Sequence, residues 1–355
     1  VEDFSSFLHV ITWELTKACH LHCRHCRARA IPNRNEGELD IDEIQSVLLD
    51  ISNRLPRKPI MVFTGGDPTE RPDLDEILKS SIEMGFITSI SPSVTNRVTP
   101  ELVYHWAELG VRAISLSIDG PSPEIHDRFR GVKGTFERSI EIARTVVDAK
   151  MSLQINTSIG RFTLDGLAEM ADLAKDLKVS SWEVFFVIPM GRAKLSSALD
   201  SSEMEEVLRY LATFSRSVDF RVTAVGAPQF QRVLHEMNYL ETSGLRPSVR
   251  EGRGFAFIDH LGEVYPSGYL PLSGGNVRSQ SLVDIYSSSP LFTSMRDPSN
   301  YSGACGSCDY SGFCGGSRAR AFAVTKDVLA SDPGCPRTDS YGSFLDLEPV
   351  ELVIE

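Results

Sequence analysis

Apolar residues recur along positions 1–215 in two alternating rhythms. Short runs rich in β-branched and aromatic residues read as strands at 9–15 (HVITWEL), 59–63 (PIMVF), 86–90, 111–118 (VRAISLSI), 152–159 and 182–188 (WEVFFVI). Between them, helical periodicity marks 40–55, 72–84, 100–109, 136–149 and 164–177. The Asp40-Ile41-Asp42-Glu43 opening of the first helix puts acidic groups where the helix dipole favours them. Strands alternating with helices build βαβ units and a parallel sheet. Six such units, against the eight of a closed barrel, predict an α/β fold, a partial (β/α)6 barrel over 1–215. Ligands of such sheets sit beyond the carboxyl ends of the strands.

After residue 216 the rhythm changes. Residues 216–252 read as a linker. A β-hairpin is expected in 254–266, turning at His260-Leu261-Gly262, followed by a short helix at 281–286. The segment 300–316 is rich in Gly, Ser and Cys and would hold no fixed shape without a staple. These features predict a small cysteine-rich α+β domain over 253–345 and a tail at 346–355.

The chain of 355 residues is 41% hydrophobic and 24% charged, ordinary values for a globular protein. No apolar run reaches the ~18 residues that span a bilayer, and no signal-peptide pattern opens the chain, so no membrane partner is expected. A net charge of −12 argues against nucleic acid as a partner. Seven cysteines are an odd number, which disfavours a purely disulfide framework. They fall into a group of three near the first strand and a group of four at 305–335, the arithmetic of one open and one closed metal cluster. Such centres imply a reducing cytoplasm.

Cys19, Cys23 and Cys26 stand at a CxxxCxxC spacing just after the first strand. Three thiolates suit a [4Fe–4S] cube with one open iron, where a small molecule can chelate. Zinc is the competing reading, with His20, His22 or His25 as fourth ligand. Gly65-Gly66-Asp67-Pro68 ends the second strand, where glycines permit close backbone approach to a ligand. Thr95-Asn96, Ser117, Asp119 and Asn156 are polar residues at or near the ends of strands three, four and five, where they either face the site or cap helices. Cys305, Cys308, Cys314 and Cys335 can close a second cluster or a structural zinc site.

Cys19, Cys23 and Cys26, following Trp13-Glu14-Leu15-Thr16, resemble the signature of radical S-adenosylmethionine (radical SAM) enzymes; the residue before the last cysteine is commonly aromatic there and is His25 here. The resemblance implies a [4Fe–4S] cluster whose open iron binds SAM through its amino and carboxylate groups. One electron then cleaves the sulfonium to a 5′-deoxyadenosyl radical that takes hydrogen from a substrate. By the same resemblance Gly65-Gly66-Asp67 matches a GGE segment that holds the SAM amino group, with the carboxylate kept and shortened. Ser117 would meet the SAM ribose or carboxylate, and Asp119 or Arg128 would help orient it. Thr95, Asn96 and Asn156 would belong to the same SAM site, and Pro189-Met190-Gly191-Arg192-Ala193 is similar to an adenine- and substrate-facing turn. The C-terminal cysteines resemble a shortened SPASM extension, the "twitch" form, with one auxiliary [4Fe–4S] cluster on all four thiolates.

Cys314-Gly-Gly-Ser-Arg-Ala-Arg-Ala-Phe-Ala, with His25-Cys26-Arg27-Ala28, is similar to tetrapyrrole-modifying members: the alternative-pathway haem synthase and enzymes of d-type haem synthesis. That likeness implies oxidative decarboxylation or side-chain removal on an iron porphyrinoid, with flavodoxin or ferredoxin as reductant. Arg27, Arg29, Arg192, Arg318 and Arg320 sit in or beside the motif loops, either to fork around substrate carboxylates or to neutralise cluster thiolates. Peptide maturases share much of this C-terminal pattern and typically carry a leader-binding domain before the core. Only about seven residues precede the first strand here, which favours the porphyrinoid over a peptide substrate. A non-catalytic iron–sulfur or zinc scaffold is the third class.

Overall fold

The computed structural model describes residues 7–240 and 249–338. The expected tail at 346–355, and 339–345 before it, lie outside the described residues. Seven parallel strands follow one another across the sheet: β1 (Val10–Glu14), β2 (Ile60–Thr64), β3 (Ile87–Ile90), β4 (Ala113–Ser117), β5 (Ser152–Ile159), β6 (Ser181–Phe186) and β7 (Arg221–Val225). Helices α1 (Ile41–Arg54), α2 (Leu74–Glu83), α3 (Pro100–Leu109), α4 (Pro123–Arg130), α5 (Thr135–Asp148), α6 (Leu167–Asp176), α7 (Ser201–Ser215) and α8 (Gln229–Glu236) connect or follow them. The six expected strand–helix units are therefore present.

Local chemistry starts two of these helices. Asp40 and Asp200 cap α1 and α7 through reciprocal bonds with Glu43 and Glu203, each cap stabilising its helix by about 1 kcal/mol. Ile44, Leu48 and Ile51 form the buried stripe of α1. Trp13, Trp106 and Trp182 are fully buried, and the Trp182 indole N–H donates to Thr157 Oγ1 at 2.9 Å, so the ring is buried without an orphaned donor.

Residues 216–252, expected as a linker, contain β7 and α8 instead. β7 pairs in parallel with β6, and only Val222 of its five residues is buried, so an edge strand there carries a weak apolar signal. The hairpin forms as β8 (Phe255–Ile258) and β9 (Glu263–Tyr265), but β8 lies parallel to β1 and extends the barrel sheet, which β10 (Gly275–Asn276) closes off beyond β9. Beyond it come α9 (Leu282–Ser288), α10 (Pro290–Arg296), α11 (Gly303–Gly306) and α12 (Arg318–Thr325). A satellite apolar cluster of Ile188, Leu270, Met295 and Ala319 joins this region to the turn after β6. Among the described residues no helix is long and apolar enough to cross a membrane.

Candidate functional site

The cysteine loop leaves β1 at the carboxyl end of the sheet. Its two ends are tied by Cys19 N–H to Ile31 O (2.8 Å) and Ile31 N–H to Lys17 O (3.1 Å). Cys19, Cys23 and Cys26 line one cavity with Thr64, Gly65, Gly66, Ser91, Ser93, Ser117 and Arg130. The space between its walls, open mouth included, is about 890 Å³. Each sulfur already meets a donor: Leu21 N–H to Cys19 Sγ (3.4 Å), Ala30 N–H to Cys26 Sγ (3.3 Å) and the Arg130 guanidinium to Cys23 Sγ (3.6 Å). Burial pushes the Cys19 thiol up to about 11 and raises that of Cys23, so bare thiolates are disfavoured there. Bound iron would supply the missing positive charge, and these donors suit the sulfurs of an iron–sulfur cluster.

His20 is exposed beside Glu70 (3.6 Å), His22 is exposed, and His25 stacks on Phe129 with ring centroids 4.3 Å apart. Among the described residues no three His, Cys, Asp or Glu side chains close on a point that would hold a single metal ion. A cube accepts its thiolates on separate irons and needs no such convergence.

Two glycine turns press against the cysteine loop. Gly66 N–H and Asp67 N–H donate to Thr16 O and Ala18 O, both at 2.7 Å, and a Cβ on Gly66 would lie 2.3 Å from Ala18 O. Gly191, at φ +61°, leaves room for Cys26 O, which a Cβ would approach to 2.4 Å. The Arg192 N–H donates to that same oxygen at 3.1 Å.

Of the residues singled out from sequence, Gly65, Gly66 and Ser117 line the cavity with the three cysteines. Asp67 turns inward: fully buried, it accepts from Thr69 N–H (3.1 Å) and the Thr95 hydroxyl (2.9 Å), and burial pushes its carboxyl up to about 6. Thr95 thereby holds Asp67, while Asn96 is exposed. Asp119 lies behind the wall, accepting from Ser158 N–H (2.7 Å) and paired with Arg130 at 2.5 Å. Burial pushes its carboxyl up, but Arg130, with His25 and His126, outweighs that and holds it below the usual range. Arg128 is exposed, the Asn156 amide oxygen accepts from Gln154, and Pro189 lies outside the lining.

Several cavity residues have no role that the sequence pattern assigns. Arg130 and His126 come from α4, four apart and therefore on one face, and the His126 ring accepts from Asp119 N–H at 3.1 Å. Helical phase in 123–130 is the signal that separates Arg130 from Arg128. Ser93, two residues before Thr95, donates to Gly66 O (2.6 Å) and lies 3.5 Å from Cys19 Sγ. Tyr269 reaches the cavity from beyond β9, and no local pattern marks it. Beside it, Arg27 pairs with Glu14 (2.5 Å), which also meets His260 (3.0 Å) in the hairpin turn.

Cys305, Cys308, Cys314 and Cys335 line a second cavity together with Gln229, Arg232 and Tyr310. All seven cysteines of the chain are free. Cys305 Sγ accepts from Asp332 N–H (3.4 Å) and lies 3.6 Å from the Arg318 guanidinium, and Cys308 Sγ accepts from Tyr310 N–H (3.4 Å). Asp332, fully buried, accepts from Ser317 N–H and the Gln229 amide (both 2.7 Å) and pairs with Arg320 at 3.1 Å. Arg318 and Arg320 are thus bound into this second site and do not reach the first cavity.

A partial barrel carrying three cysteines on the loop after its first strand defines an enzyme of the radical SAM class. A family model described as "Radical SAM superfamily" matches residues 13–174. The AdoMet-dependent heme synthase of Oleidesulfovibrio alaskensis is 36% identical to the chain, across 94% of it and 89% of that protein. That of Methanosarcina barkeri is 34% identical, across 92% and 95%. A PqqA peptide cyclase of Rhizobium meliloti is 29% identical across 92% and 86%. The crystal structure of Streptococcus suis SuiB bound to S-adenosylmethionine matches at a TM-score of 0.74 and 18% identity, covering 93% of this chain and 78% of that one, which shows the shared fold. The chain belongs to the radical SAM superfamily, in the family of these heme synthases. As such it is an enzyme that uses a [4Fe–4S] cluster and SAM.

Proposed function

We propose that this enzyme oxidatively decarboxylates a propionate side chain of an iron porphyrinoid in haem biosynthesis. The observation that carries the reading is the likeness to AdoMet-dependent heme synthases over nearly the whole of both chains. The cluster with SAM supplies one-electron chemistry and a radical able to take a hydrogen atom. On the substrate, removal of one β-hydrogen atom, then loss of CO2 and one electron, converts the propionate to a vinyl group. Cys19, Cys23 and Cys26 hold the first cluster. Gly65, Gly66 and Ser117 offer backbone and hydroxyl partners to SAM on the opposite wall. Asp67, Thr95, Asp119 and Gly191 act behind that wall, by positioning the backbone and Arg130. Cys305, Cys308, Cys314 and Cys335 would hold a second [4Fe–4S] cluster, which would supply one-electron redox chemistry. A flavodoxin or ferredoxin in a reducing cytoplasm completes the cycle.

The test is anaerobic. Protein reconstituted with iron and sulfide receives SAM, dithionite and iron-coproporphyrin, and products are followed by mass spectrometry. Loss of CO2 plus two hydrogens from the porphyrin, matched by 5′-deoxyadenosine, is the expected result. Deoxyadenosine without any change in the porphyrin overturns it and favours a peptide substrate, the reading that the likeness to a peptide cyclase supports.

A further inference from the structure

Three guanidiniums line the first cavity, and two are matched by acids. Arg27 pairs with Glu14 and lies over the Phe257 ring at 4.4 Å, and Arg130 pairs with Asp119. Arg192 differs. Its Nε and Nη2 are buried and meet no hydrogen-bond partner among the described residues, while its backbone is held to Cys26 O. The turn that carries it cannot back away without breaking the contact that Gly191 makes with the cysteine loop. Two buried guanidinium nitrogens without an acceptor are costly, and in a cavity wall they suit an anion that arrives with a ligand.

We infer that Arg192 receives a carboxylate of the substrate, and that this carboxylate is a retained one, distinct from the one lost as CO2. The inference rests on the porphyrinoid reading, since such a macrocycle carries several carboxylates on one rigid frame. A forked ion pair stabilises the carboxylate as an anion and so opposes loss of CO2 from that same group. Anchoring a neighbouring side chain instead fixes the ring and presents the reacting propionate. SAM also bears a carboxylate, but Arg130 is the guanidinium that meets a cluster sulfur, at Cys23 Sγ, whereas Arg192 Nε and Nη2 meet none among the described residues.

The experiment compares wild type, Arg192→Gln and Arg192→Lys, each reconstituted and checked for equal iron content. Iron-coproporphyrin binding is titrated by quenching of tryptophan fluorescence, and SAM binding is measured separately. The expected result is porphyrin affinity weakened by about 30-fold or more in Arg192→Gln. Arg192→Lys should recover part of that loss, with SAM affinity unchanged in both variants. Equal porphyrin affinity in wild type and Arg192→Gln overturns the inference while leaving the porphyrinoid reading intact. Loss of SAM affinity in Arg192→Gln overturns it in favour of the SAM carboxylate. A wild type that binds no iron-coproporphyrin sinks both readings at once.

Discussion

Alanine at three glycines separates two costs that close packing on the cysteine loop imposes. Gly85 has φ +85° and no atom within 4 Å of the place a Cβ would take, so Gly85→Ala carries the backbone cost alone. Gly66 lies outside the left-handed region, yet its Cβ would stand 2.3 Å from Ala18 O and 2.6 Å from Lys17 O. Gly191 combines both, at φ +61° with contacts of 2.4 Å to Cys26 O and 2.5 Å to Arg27 O. A left-handed non-glycine residue costs roughly 1–2 kcal/mol, and forcing a methyl into packed structure costs roughly 1–3 kcal/mol. Expected losses of stability are therefore about 1 kcal/mol for Gly85→Ala, about 2–3 for Gly66→Ala and about 3–5 for Gly191→Ala. The contacted atoms are backbone carbonyls, which cannot swing aside as a side chain would, so the cysteine loop itself must move. Unfolding midpoints of the reconstituted variants give the energies, and iron and sulfide content gives the consequence. Gly66→Ala and Gly191→Ala should lose iron from the first site and retain it in the second. A Gly191→Ala variant no less stable than Gly85→Ala, with full iron in both sites, would refute the packing argument.

Asp332→Ala should cost about 3 kcal/mol or more, because it strands the buried Arg320 and Gln229; unfolding and second-site iron content both read the loss. Asp67, raised by burial to about 6, contributes stability that is present below its unfolded value near 3.8 and lost as pH rises through about 6. Asp67→Asn removes that dependence, so the stability difference between variant and wild type should grow from pH 5 to pH 8 in the variant's favour; a constant difference would contradict the assignment. Burial pushes the His25 imidazole down to about 4, and its ring stacks on Phe129. His25→Phe should therefore keep substrate-independent SAM cleavage within about threefold of wild type, because the stacked ring is conserved. A loss of tenfold or more would assign the imidazole nitrogens a direct role.

Much of the barrel can be read from the chain because its signals are local. The limits 152–159 for β5 and 100–109 for α3 coincide with the structure, since β-branched runs and a Thr99–Pro100 helix start act over a few residues. Helix α4 is not legible in the same way: Ile125 and Phe129 are its only large apolar residues, and its buried positions are His126, Phe129 and Arg130. It is eight residues long and mostly polar, and a buried histidine and arginine add nothing to its apolar pattern. Of its two arginines, Arg130 lines the cavity and Arg128 is exposed. Strand β7 is hidden for a related reason, as an edge strand with one buried residue looks like a connection.

The two groups of cysteines are legible in the chain, because spacing on a short segment sets which sulfurs can share one centre. The sequence by itself also determined the strand–helix alternation that places the first group at the carboxyl end of a parallel sheet. Which polar groups face the cavity follows from long-range packing. Asp67 turns inward to Thr95, Tyr269 arrives from beyond the hairpin, and Arg192 alone among the cavity's guanidiniums is left without an acid among the described residues. Those outcomes depend on segments far apart in the chain being packed against each other, and the energy of a buried charge is set by whichever distant partner the fold supplies or withholds.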